Sequence, residues 1–113
     1  NEAMVSAFGG SDAEGRWTQR ESFEVLEHAL ALHIRASGSS LSSFCEVLPM
    51  IELAGRLPTQ TVRSEDQIEW QQFSTPVDIA AVAVLLANVQ SDDVILEPSA
   101  GNGLLVAHLT AHR

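Results

Sequence analysis

The chain has 113 residues, enough for one small domain, and its 45% hydrophobic share is that of an ordinary globular protein. Its 15 acidic residues face only 6 basic ones, all arginine, and the net charge of −9 makes a surface that repels phosphate backbones and grips nucleic acid poorly. No apolar run approaches the roughly 18 residues of a membrane span, no basic leader precedes an apolar stretch, and the lone Cys45 excludes an internal disulfide and suits a cytoplasmic protein.

Residues 1–15, rich in Gly, Ser, Asp and Ala, read as a flexible lead-in. Thr18 with Glu21 has the spacing of a capping box, and Phe23, Leu26, Leu30 and Ile34 follow at helical intervals until Gly38. A second helical stretch is expected from about Leu41 to Leu57, with Phe44, Val47, Leu48, Ile51 and Leu53 on its apolar side. Pro49 lies inside it and is expected to kink or split it, since proline removes one hydrogen bond and crowds the preceding turn. Cys45 has apolar neighbours and is expected to be buried and inert. Residues 16–57 thus read as a helical cap or docking region.

Pro58 to Thr61 carries no helical pattern, and Ser64 with Gln67 forms another capping-box pattern before Ile68 and Trp70. Thr75 as N-cap and Pro76 in the first turn predict a helix to about Val89. That helix is apolar around most of its girth, which calls for burial on more than one side. Ser91-Asp92-Asp93 reads as a turn, and Val94-Ile95-Leu96 as the one convincing strand, short and β-branched like strands inside parallel sheets. A glycine-bearing loop, Glu97 to Gly103, leads into helical spacing from Leu104 to His112.

The segment VILEPSAGNGLL carries the most chemistry. A strand delivers the chain to a glycine turn whose backbone can approach a ligand closely, and a helix start presents N–H groups to it. An acid at the strand end, Glu97, can accept from an ammonium or hydroxyl. Such a set suits a zwitterion like the methionine end of S-adenosyl-L-methionine (AdoMet). A Walker phosphate loop is excluded because the chain has no lysine, and the dinucleotide fingerprint lacks its third glycine at Val106. A plain connecting loop accounts equally well for the Gly-x-Gly taken alone.

Upstream lies Gln71-Gln72-Phe73-Ser74-Thr75-Pro76, separated from the Glu97–Gly103 loop by one apolar helix and a turn. The pair resembles the signature of N-6 adenine-specific DNA methylases, a Phe-x-Thr-Pro element followed by an AdoMet loop. The stretch from Leu57 to Leu105 is also similar to bacterial strawberry notch-like proteins, in which a methylase-like domain precedes a helicase-like NTPase. The resemblance covers about residues 57–109 and is only suggestive before them.

The resemblance implies a mainly α chain: a helical N-terminal region, then the first strand-loop-helix of a Rossmann-like class I methyltransferase, with residues 58–113 opening that α/β domain. It implies AdoMet as cofactor, Phe73, Thr75 and Pro76 beside it, Glu97 at its methionine end, and Ser99, Ala100, Gly101, Asn102 and Gly103 wrapping it with backbone. Asn102 stands where Thr or Ser is common in that family. The Asn/Asp-Pro-Pro-Tyr/Phe motif that holds the target amine is absent, as is the acid that would hold the ribose, so the catalytic motif is expected beyond Arg113 and the chain alone is expected to be inactive. DNA would be held by other parts of a larger protein. A strand of buried type without partners is expected to pair with a second copy, as a homodimer or strand-swapped pair, or to leave that end disordered.

Blander readings apply elsewhere. Phe73 and Trp70 alone would pass for core residues, and Glu21, Glu24 and Glu27 for a solvated helix face. His108 and His112 lie four apart but have no third ligand for zinc, and His28 and His33 do not converge. Two other functions fit the same residues: a non-catalytic helical module for dimerisation or docking in a helicase-type protein, and an AdoMet enzyme acting on RNA or protein.

Overall fold

The computed structural model describes residues 1–38, 41–59, 65–69 and 73–110. In chain order these form α1 (Glu2–Phe8), a 3-10 turn (Asp12–Glu14), α2 (Gln19–Ser37), α3 (Phe44–Arg56), α4 (Glu65–Glu69), α5 (Val77–Ala87) and α6 (Leu104–Thr110). The described chain is mainly α. Helix α5 packs against α3 and α6, and α2 against α6.

The ends of α2 follow from its sequence. Thr18 stays extended and its hydroxyl accepts from the Glu21 N–H, while the Glu21 carboxylate returns to the Thr18 N–H at 2.7 Å. Gly38, in the left-handed region, closes the helix. The period of α2 then delivers Leu30, Ala31 and Ile34 to a core that also receives Val77 and Ala80 of α5 and Leu104 and Ala107 of α6. Alanines at these crossings let the helix backbones approach closely, and each buried leucine contributes roughly 1.5–3 kcal/mol. A second cluster joins Leu41, Val47, Ala81 and Val84. Helix α5 serves both clusters, which answers its apolar girth, although Ile79 and Leu86 remain exposed.

Helix α3 runs through Pro49 without splitting. The proline costs the helix one N–H bond, but the turns around it are held independently. Glu46 accepts from the N–H groups of Ser42 and Ser43 at 2.6 and 2.8 Å, and Val47 is fully buried. Cys45, expected inside, is exposed. It shares the first turn with Phe44, which also faces outward, so apolar neighbours in sequence did not mean burial here.

The first 15 residues, glycine-rich as they are, take up defined structure. Met4 of α1 is buried, and the Trp17 indole N–H donates to the Gly10 carbonyl at 3.0 Å. Gly10 has φ +124°, and a Cβ there would meet the side chains of Glu14 and Arg16 at under 3 Å. A glycine that close packing demands reads in composition like a glycine of a loose tail.

Val94 to Leu96, expected as a strand, forms no β-ladder, and the described residues contain no strand. Val94 is 100% and Leu96 86% exposed. A ladder needs a second strand, and no described segment supplies one. Helix α5 begins one residue later than expected, with Pro76 as the extended cap whose carbonyl accepts from Ala80 N–H. Asn88, at φ 48°, ends it. The Ser64–Gln67 cap and Trp70 lie outside the described residues. So do Gln71, Gln72 and His112.

Candidate functional site

Two loops separated by the whole of α5 meet on one side of the molecule. Phe73, Ser74 and Thr75 precede α5, and Ser99 to Asn102 precede α6; together with Leu104 and Leu105 they line a small cleft of about 40 Å³. The packing of α5 against α6 fixes this meeting, because it sets the two helix starts side by side. Of the nine residues expected at a cofactor, Phe73, Thr75, Ser99, Ala100, Gly101 and Asn102 line this cleft.

The other three stand apart from it. Pro76 lines a neighbouring pocket of about 250 Å³ between α2, α3 and the Phe73–Val77 segment. Gly103, at φ +85°, donates from its N–H to the Ala100 carbonyl at 2.8 Å and accepts from Ala107, shaping the turn rather than walling the cleft. Glu97 faces its own loop, where its Oε1 accepts from the Ser99 N–H at 2.7 Å.

Gly101 sits at φ +52°, a conformation that side chains rarely adopt, and a Cβ there would meet the Ser99 carbonyl oxygen at 3.9 Å, an ordinary contact. The turn therefore favours glycine for its backbone rather than for lack of room.

Glu27 is the residue that sequence reasoning missed. It was expected on a solvated face with Glu21 and Glu24, but the three do different things. Glu21 caps α2, and Glu24 pairs with Arg20 at 2.7 Å. Glu27 Oε2 accepts from Ser74 Oγ and from Asn102 Nδ2, each at 2.6 Å, across 47 and 75 residues of sequence. One carboxylate on α2 thus ties together the two loops of the cleft. Nothing in the spacing of α2 marks Glu27, since its partners are brought to it only by the tertiary fold.

Among the described residues, the remaining polar groups build no second centre. His108 is buried, and burial pushes its imidazole below the usual histidine range. Its Nε2 and the Asp78 Oδ1 have no hydrogen-bond partner among the described residues. No group of three potential metal ligands occurs among them either. No described helix is long and apolar enough to cross a membrane.

No protein-family model, curated protein or solved structure matches the chain.

Proposed function

We propose that this chain supplies part of the AdoMet site of an N-6 adenine-specific DNA methylase, in a Rossmann-like α/β domain that Val94 to Leu96 would enter as its first strand. The observation that carries this reading is the shared cleft. Residues 73–75 and 99–102 resemble two separate motifs of that family, and they line a single cavity.

The chemistry proposed is direct displacement at the sulfonium methyl by the exocyclic amine of a flipped adenine. The chain's own contribution is to binding. Backbone groups of residues 99–102 would face the methionine end, with Phe73 and Thr75 lining the same cleft. The Asn/Asp-Pro-Pro-Tyr/Phe element that holds the amine in this family does not occur in this sequence, so no residue here is assigned a catalytic role. With its net charge of −9, the chain also leaves DNA binding to other parts of the protein. The test is transfer of a labelled methyl group from AdoMet to duplex DNA by the full-length protein. Label in N-6-methyladenine supports the reading; AdoMet binding with label only in RNA or protein would reassign the substrate.

A second reading is favoured by a different observation. Phe44, Leu48 and Ile51 form an exposed apolar row on α3, at the spacing of one helix face. A module for dimerisation or docking would present such a row. It predicts self-association that Leu48→Glu abolishes, in a protein that binds no AdoMet.

A further inference from the structure

We propose that Glu27, rather than Glu97, is the carboxylate that receives the ligand's ammonium group, an inference that rests on the AdoMet reading above. Sequence points to Glu97, because it ends the expected strand just before the glycine turn. The structure turns Glu97 inward to the Ser99 N–H, and it lines neither cavity.

Glu27 stands at the seam of the two. It walls the 250 Å³ pocket, whose other sides include Leu30, Leu57, Val77 and Leu104, and it is the only ionisable side chain among the described residues there. Through Ser74 and Asn102 it also borders the smaller cleft. Pocket and cleft share Phe73, Ser74, Thr75 and Leu104, so a ligand reaching from the cleft into the pocket would meet Glu27.

The carboxylate is half-buried, and the only ion pair among the described residues is Arg20–Glu24, so no described cation neutralises it. Both bonds it accepts fall on Oε2, and among the described residues no donor reaches Oε1. A carboxylate ending in an open lone pair against apolar walls is chemically matched to an ammonium, which brings three donors and the missing charge. The ligand's own carboxylate would then lie toward the backbone of residues 100–102, since the Ser99 and Gly103 N–H groups are taken by Glu97 and the Ala100 carbonyl. The helical region would be part of the binding site, not merely a cap beside it.

The test compares AdoMet with 5′-methylthioadenosine, which keeps the sulfur and the nucleoside but lacks the amino-acid end. Both are titrated calorimetrically into the full-length protein and its Glu27→Gln and Glu97→Gln variants. Glutamine keeps an acceptor for Ser74 and Asn102 while removing the charge. The expected result is AdoMet binding weakened roughly ten- to hundredfold by Glu27→Gln, as for loss of a bond to a charged group, with methylthioadenosine unchanged and Glu97→Gln close to wild type for both. Equal weakening of both ligands would reduce Glu27 to a positioning residue and overturn the proposal. Selective weakening by Glu97→Gln, or no effect of Glu27→Gln, would overturn it while leaving the AdoMet reading intact. Failure of the wild type to bind either ligand would remove both.

Discussion

Asn102 donates its side-chain amide to Glu27 Oε2 at 2.6 Å, joining a loop before α6 to the middle of α2 across 75 residues. The same oxygen takes the Ser74 hydroxyl at 2.6 Å, so the two loops are held to a common point rather than only packed near each other. If this node sets the cleft, its members must be energetically coupled. Glu27→Ala, Asn102→Ala and the double variant, compared by urea unfolding, should give a coupling energy of about 1 kcal/mol or more. Additive effects would mean that the loops are placed by helix packing alone.

His108 should make stability depend on pH near neutrality. Burial lowers its folded pKa below the ordinary 6.5, so the unfolded chain binds the proton more readily. The stability from the neutral imidazole is fully present above pH 6.5 and is lost as pH falls below it toward the folded pKa. The urea midpoint, followed by tryptophan fluorescence, should therefore drop between about pH 7 and 5. His108→Leu should flatten that slope, and by removing a buried nitrogen that has no partner among the described residues it should stabilise the fold by about 1 kcal/mol. An unchanged slope in the variant would assign the pH dependence to other groups.

The helix caps should fail at lower pH. Glu21 is held below the usual carboxylate range by bonds from the backbone N–H and hydroxyl of Thr18, and Glu46 by the backbone N–H groups of Ser42 and Ser43. For depressed carboxyls the stabilisation is present above the ordinary value of about 4.3 and disappears as pH falls through the folded one. Helicity followed by circular dichroism should decline across that acid range. In Glu21→Gln with Glu46→Gln the decline should be smaller, starting from a lower plateau. An identical acid transition in the double variant would rule the caps out as its source.

Trp17 should control the order of the first 15 residues. Its indole is 3% exposed and bonds the Gly10 carbonyl. Trp17→Phe deletes that bond and should speed amide exchange across residues 2–15, by about fivefold for a loss near 1 kcal/mol. Exchange in α5 should stay unchanged. Equal exchange in both proteins would mean that the N-terminal segment is held by Met4 alone.

How far the sequence could be read depends on whether a feature is local. The bounds of α2 were legible because Thr18, Glu21 and Gly38 act on their own neighbours in the chain. The continuity of α3 was not, since the penalty at Pro49 is local while the packing of Val47 that helps hold the helix is tertiary. For the same reason the order of the first residues was hidden: Gly10 resembles a tail residue until Trp17 is folded onto it. Two motifs in sequence named most of the cleft, because each is a short run of loop residues. Their convergence, and the role of Glu27 between them, depended on helix packing that no spacing along the chain reveals.

The most direct test of the central claim is calorimetric titration of AdoMet into the full-length protein beside its Gly101→Leu variant. Gly101 takes φ +52°, so leucine both strains the turn and fills the space against which a ligand would lie. Binding by the wild type that the variant abolishes, in a protein still helical by circular dichroism, is the predicted result. A well-folded wild type that takes up no AdoMet would contradict the account and leave the helical docking module as the better reading.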